Sequence, residues 1–293
     1  MIIFISLLFA SKFSISVSGA FALYPLMVEW AEEYKKINPT IDISVQAGGA
    51  GKGMTDLLND IVDIAMVSRE ISKEEEGKGA FKIAVARDAT LPIISSKNPY
   101  LNIILKRGIK KSELFDIFTS KKKYWNEILE LKEKKEINTY TRSDACGAGE
   151  TFALFLGLHQ EDLEGIGIYG DPQIIDSVGR DKFAIGYANI GFIYEKDKNK
   201  PHESIIVLPI DLNDDGKITD EENFYSQRTE ILKAIKEGKL PSPPSRNLYL
   251  VVKKGKVKGE VEKFIRWILK DGRKIVENAG FVNIEIKEEE IKF

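Results

Sequence analysis

With 293 residues, 43 basic against 45 acidic side chains and a net charge of -2, the chain is long enough for two hydrophobic cores. The same balance leaves no global basic field to attract nucleic acid or acidic membrane. Hydrophobic residues at 43% and charged residues at 30% exclude a disordered chain, and the lone Cys146 excludes both an intrachain disulfide and a thiolate zinc site.

The chain begins with MIIFISLLFA, an apolar run too short to cross a bilayer as a helix. It reads as an abbreviated secretory signal or retained anchor, or else as a buried first strand; only the first reading implies export. From Ser14 a strand follows with Ile15 and Val17 on one face, broken at Ser18-Gly19. Pro25 suits a first helical turn, and Leu23, Leu26, Met27, Trp30 and Tyr34 recur at helical spacing until Asn38-Pro39. Ile41, Ile43 and Val45 alternate as a second strand that runs into Gly48 to Gly53, and a helix through Met54, Leu57 and Leu58 comes next. Ile64 to Val67 predicts a fully buried third strand, ending at Ser68-Arg69.

Strand, glycine loop and helix in repeated order predict a parallel sheet with helices on its faces. A second such unit comprises a strand at Ile137 to Tyr140, a turn at Cys146 to Gly149 and a helix through Phe152 and Leu156; Gly167 to Tyr169, a helix start at Asp171-Pro172 and a strand at Phe183 to Tyr187 complete it. Ile83 to Ser95 reads as a crossover strand and Ser242 to Val252 as its return. Val261, Phe264, Ile265, Trp267 and Ile268 form the core face of a last helix, expected to close the first lobe. The pattern gives two α/β lobes facing each other across a cleft: residues 13–88 with 245–293, and residues 89–244, with 1–12 as a separate signal-like or anchor segment.

In an open α/β sheet ligands gather at the carboxyl ends of the strands, where helix N-termini offer N–H groups and a positive dipole end. Small residues at Gly19 to Ala22, Gly48 to Gly51 and Cys146 to Gly149 let the backbone approach an oxyanion closely. Arg142, at a strand end just before the third of these turns, is placed to grip two oxygens at once; the competing reading pairs it on the surface with Asp144 or Glu150. Ser68 either donates its hydroxyl or initiates a turn, and Arg69 either faces the cleft or caps a strand edge, with solvent the expected place.

Two enzymatic patterns fail on the letters. Gly51-Lys52-Gly53-Met54 lacks the Ser or Thr that a nucleotide phosphate loop uses on magnesium. Cys146 beside a helix N-terminus and Arg142 would be activated as a nucleophile, yet no base is visible to partner it, and a small residue lining a tight turn is the simpler reading. A third pattern holds at every position: Asp211, Asn213 and Asp215 at ligand spacing, Gly216 for the turn, Lys217 offering its carbonyl and Glu222 closing a calcium loop over residues 211–222. A single loop of this kind suits a stabilising calcium ion rather than a sensor, the alternative being an acidic solvated turn.

Taken together, these segments resemble the phosphate-binding subunits of ABC-type phosphate importers, within the class II periplasmic-type binding proteins. The likeness is carried by Ser18 to Pro25 with Trp30, Gly48 to Gly53, Asp63 to Glu70, Phe115 to Thr119 with Trp125, Arg142 to Phe152, Ala184 to Tyr187 and Pro243 to Leu250. It implies a two-lobe α/β binding protein, not an enzyme, with a hinge and a cleft in which phosphate is desolvated. By position, the resemblance assigns the anion to the loop Ala20, Phe21 and Ala22, to Ala50 and Gly51, to Ser68, and to Arg142 with Cys146, Gly147, Ala148 and Thr151. It further implies a monomer that works outside the cytoplasm, secreted or tethered to the outer face of the cell membrane, and docks on transporter membrane subunits, with no required cofactor. The chain departs from the family where Cys146 and Ala148 replace hydroxyl residues and Ala50 replaces a common serine. Some members carry an aspartate near Ser68 that accepts phosphate's proton, and Glu150 is the candidate for that role here. Molybdate, tungstate or sulfate is the alternative ligand, and an exported phosphate-ester hydrolase the remote one.

Overall fold

Ile15 and Val17 are buried on one face of the first strand, Phe13–Gly19 (β1), as period-two alternation requires. The computed structural model describes residues 13–195, 197–257 and 259–285; the apolar run over residues 1–12 lies outside them. Ile41–Ala47 (β2) pairs parallel with β1 in register from Phe13 opposite Ile41 to Gly19 opposite Ala47, and the fully buried Ile64–Val67 (β3) pairs parallel on its other side.

Ala80–Ser95 (β4), 16 residues long, joins the two halves. Over Ala80 to Ala89 it pairs antiparallel with Ser245–Lys253 (β11), which also flanks β3. Over Thr90 to Ile94 it pairs antiparallel with Ala184–Asn189 (β8). Asn138–Arg142 (β6) and Ile166–Ile168 (β7) continue that side in parallel, so the strand order is β2-β1-β3-β11-β4-β8-β6-β7, with Ile205–Val207 (β9) added on β4. A separate two-stranded pair joins Ile109–Lys110 (β5) to Ile210–Asp211 (β10).

Two hydrophobic clusters lie on either side of the point where β4 changes partner. One gathers Ile15, Trp30, Met66, Val85, Leu250 and Phe264, the other Leu91, Phe118, Trp125, Phe152, Tyr187 and Ile231. The helix Tyr24–Ile37 has Pro25 in its first turn and buries Leu26, Met27, Trp30, Ala31 and Tyr34 along one face. Asn38 ends it, its N–H donating to Tyr34 O at 2.9 Å. Trp30 is fully buried and donates from Nε1 to Gly272 O at 2.8 Å, a tie to the C-terminal segment; a buried indole of this kind is worth about 3–5 kcal/mol relative to alanine. The helix Glu260–Lys270 adds Phe264, Ile265 and Ile268 to the same cluster, so it closes the first lobe. Among the described residues no helix is long and apolar enough to cross a membrane.

Candidate anion-binding site

β1, β3, β6 and β8 end at Gly19, Val67, Arg142 and Asn189, and the segments that follow meet between the lobes. Gly19, at φ +138, leaves no room for a side chain against the Met66 backbone; Ala20 N donates to Met66 O at 2.8 Å and one 3-10 turn, Phe21–Leu23, leads into the first helix. Gly48 N and Gly49 N both donate to Gly19 O, at 2.9 and 3.0 Å, which locks the second loop against the first. In the second lobe Cys146 caps the helix Gly147–Leu156, its thiol accepting from Gly149 N at 3.3 Å.

Each helix leaves its first N–H groups outside its own ladder. Ladder bonds begin at Leu23 N to Ala20 O (3.2 Å), Gly53 N to Gly49 O (3.1 Å) and Glu150 N to Cys146 O (3.1 Å). The N–H groups of Phe21, Ala22, Ala50, Gly51, Gly147 and Ala148 therefore lie ahead of those ladders. A small pocket sits among them, lined from the first lobe by Ala20, Phe21, Ala22, Gly49, Ala50 and Ser68, and from the second by Arg142, Cys146, Gly147, Ala148, Asp171 and Asn189. Ser68 is buried and touches Gly147 so closely that a Cβ at Gly147 would overlap it.

Arg142 is the charged centre. Its side chain has no exposed surface; Nε and Nη2 donate to the two oxygens of Asp144 at 2.8 and 2.6 Å, and Nη1 donates to Asp171 Oδ2 at 2.9 Å. The guanidinium also lies over the Phe21 ring, 5.4 Å from its centroid. Burial opposes the charge, but Asp171 and Asp144 outweigh it and hold the guanidinium above the ordinary arginine value. Arg142 does pair with Asp144, but in the buried pocket and not on the surface. One cation set between two carboxylates leaves no surplus positive charge, so an anion here must be held chiefly by backbone N–H dipoles.

Glu150 requires a correction. Its Oε1 lies 3.1 Å from His159 Nδ1 and its Oε2 accepts from Gln160 N at 3.0 Å, which turns the carboxylate away from the pocket. The reason is helical rotation: Gly147 and Ala148 occupy the first turn facing the pocket, and two residues on the side chain points to the neighbouring turn Gln160–Asp162. Thr151 Oγ1 accepts from Arg246 Nη1 at 2.9 Å, which leaves its own O–H to donate. Gly51, Glu150 and Thr151 line a wider adjoining cleft instead.

The carboxylate that does line the pocket is Asp171, which accepts from Asn189 N (2.8 Å) and Asn189 Nδ2 (2.9 Å) as well as from Arg142. Sequence reasoning missed Asp171 and Asn189: Asp171-Pro172 registers as a helix start, and the strand is expected to stop at Tyr187, two residues short of Asn189. The available signal is Gly170, at φ +76, which places Asp171 at the tip of a strand-to-helix turn like the other three.

Burial pushes the Cys146 thiol up to about 12, against the attraction of Arg142, so the group is a neutral thiol and not an activated nucleophile. Lys52 pairs with Asp56 and donates to Ser18 Oγ at 3.2 Å, away from any phosphate-loop position. Arg69 is held by Glu75 at 2.8 Å on the cleft wall, not free in solvent. In the loop from Asp211 to Glu222, Asp211 accepts from Asp215 N (3.2 Å) and Gly216 N (2.8 Å), Asn213 Oδ1 from Asp215 N (3.0 Å) and Asp215 from Lys217 N (3.1 Å). Glu222 accepts from Leu212 N and Asn213 N at 2.9 and 3.1 Å. Among the described residues no three His, Cys, Asp or Glu side chains converge as a metal site would require.

A sequence model of the PBP superfamily domain matches residues 10–272. The chain belongs to this superfamily. It is 31% identical over 180 residues to the phosphate-binding protein PstS of Bacillus subtilis, a match spanning 61% of this chain and 58% of that protein. To PstS of Staphylococcus haemolyticus it is 26% identical over 272 residues, 90% of this chain and 79% of that one. A phosphate ABC transporter substrate-binding protein from Clostridium perfringens, solved with bound phosphate, superposes with a TM-score of 0.75 at 22% identity, over 93% of this chain and all (100%) of that one. An ABC-type phosphate transport receptor from Vibrio cholerae gives 0.67 at 18%, over 92% and 100%. The two-lobe binding-protein fold of the PBP superfamily is thus the fold of this chain.

The contact of Gly147 with Ser68 carries a consequence for binding. Gly147→Ala is expected to hold the lobes apart and weaken oxyanion binding by at least about ten-fold, measured by calorimetric titration, and a wild-type dissociation constant for that variant would contradict the closed packing described here.

Proposed function

We propose that the protein captures inorganic phosphate outside the cytoplasm as a monomer and delivers it to the membrane subunits of an ABC transporter. The observation that carries this reading is the small pocket lined by first-turn residues of helices from both lobes together with Arg142. An oxyanion stripped of water loses a large hydration energy, and several short N–H bonds plus one charge-assisted contact are what can offset it. The relatives named phosphate-binding protein and the similar structure that holds phosphate support the choice of ligand. The apolar start of the sequence supports export.

Asp171 supplies the basis for selectivity. Three of its carboxylate's roughly four acceptor sites are taken by Arg142 and Asn189; the remaining one can accept the O–H of a protonated phosphate, whereas fully ionised sulfate would bring lone pair against lone pair. The role first assigned to Glu150 passes to Asp171. A thiol nucleophile at the pocket is not supported, because burial holds Cys146 neutral.

Titration of the phosphate-stripped protein with phosphate, sulfate and molybdate tests the reading. Phosphate should bind in preference, Arg142→Ala should weaken it by at least about ten-fold, and Asp171→Asn should narrow the gap between phosphate and sulfate. Absence of phosphate binding, or an Arg142→Ala protein that binds as well as wild type, would end it.

A separate proposal concerns the loop from Asp211 to Glu222. Its twelve-residue pattern supports a structural calcium ion bound by Asp211, Asn213, Asp215, the Lys217 carbonyl and Glu222, for which these carboxylates would have to turn from their backbone N–H partners and draw together around the ion. Calcium in excess should then raise Tm by several degrees over chelator-treated protein, on the order expected for about 2.7 kcal/mol of ligand stabilisation at a hundred times Kd; identical melting curves would remove the ion.

A further inference from the structure

Arg246, at the start of β11, faces Asp88 across the strand pair, at the place where β4 leaves β11 and takes up β8. Both side chains are buried. Arg246 Nε donates to Asp88 Oδ1 at 2.9 Å and Nη2 to Asp88 Oδ2 at 3.2 Å, a side-on fork that anchors the guanidinium in the crossing between the lobes. The rest of the fork reaches into the second lobe, where Nη1 donates to Gly147 O and to Thr151 Oγ1 (2.9 Å) and Nη2 donates to Asn189 Oδ1.

Of these acceptors, those of Gly147 and Asn189 belong to residues that line the anion pocket, and Thr151 lines the adjoining cleft. The carbonyl of Gly147 belongs to the same peptide unit as the Ala148 N–H, one of the donors ahead of the helical ladder; a cation on the carbonyl end polarises that N–H toward an anion on the other end. Asn189, held by Arg246 and by Thr90 Oγ1 (3.2 Å), in turn donates to Asp171, which fixes Arg142. The guanidinium thus ties one donor loop and the selectivity carboxylate to the strand crossing that joins the lobes, without lining the pocket itself.

We propose that Arg246 is a positioning residue for the anion site, one that fixes the Gly147–Ala148 donors and Asp171 relative to the lobe crossing and so couples anion affinity to lobe closure. This rests on the phosphate reading above. Lysine is a poor substitute, since a single ammonium cannot reach Asp88, Gly147 O, Thr151 and Asn189 together.

Phosphate binding to the full chain should be measured by calorimetry and by stopped-flow for wild type, Arg246→Lys and Thr151→Val, with small-angle scattering recorded with and without phosphate. Arg246→Lys is expected to weaken binding by at least about ten-fold, and Thr151→Val by about three-fold, mainly through faster dissociation and with a smaller phosphate-induced contraction for Arg246→Lys. Kd and dissociation rate within two-fold of wild type in Arg246→Lys, on the order of experimental scatter for one hydrogen bond, would overturn the proposal. So would reduced stoichiometry at unchanged Kd, which is the mark of a folding defect. Should Arg246→Lys fail to fold, Thr151→Val decides alone, wild-type affinity there overturning the proposal. A wild-type protein that takes up no phosphate would overturn the phosphate reading and this proposal together, whereas binding by wild type with unaltered variants overturns this proposal only.

Discussion

A guanidinium with no exposed surface stays charged only where carboxylates or carbonyl dipoles surround it, and Arg142 has Asp144 on one edge and Asp171 on the other. That arrangement decides how the rest of the pocket must work. With the cation already balanced by two anions, attraction for a further anion has to come from oriented N–H groups, and the chain provides them at the first turns of helices from both lobes. Backbone donors require close approach, so the sequence places Gly49, Ala50, Gly147 and Ala148 where larger side chains would stand in the way.

The fold serves this need through strand order. β1 and β3 run opposite to β6 and β8, so the carboxyl ends of the two sets face each other across the cleft, and β4 with β11 carries the chain between the halves. A buried network runs from Asp88 through Arg246, Asn189 and Asp171 to Arg142 and Asp144. Its members come from strands of both lobes, so the polar interior of the site and the crossing of the lobes are one connected piece of structure. Such a network specifies geometry more than it adds stability, because buried ion pairs offset a large desolvation penalty with their own attraction.

Local periodicity made much of this legible. Ile15 and Val17, Ile64 to Val67, and Trp30 with Tyr34 each show their burial in spacing alone, because strand and helix periods are set by backbone geometry. The three small-residue tips and Arg142 were legible for a related reason: strand ends in parallel sheets share an edge. What the letters could not show was rotation and distance. Glu150 differs from Ala148 by two residues, yet that turn of the helix sends its carboxylate to His159. Arg246 meets Gly147 across 99 residues of chain, and no local pattern marks a contact of that separation. Asp171 fell between these cases, visible as a helix start but silent about the partner its carboxylate would find.

A crystal structure of the protein with phosphate bound tests the central claim most directly. The account predicts the ion between Phe21, Ser68, Arg142 and Gly147, with backbone nitrogens from both lobes at about 2.7–3.2 Å from its oxygens and one oxygen against Asp171. Phosphate held instead by the arginines of the wider adjoining cleft, with those first-turn nitrogens bonded elsewhere, would contradict it.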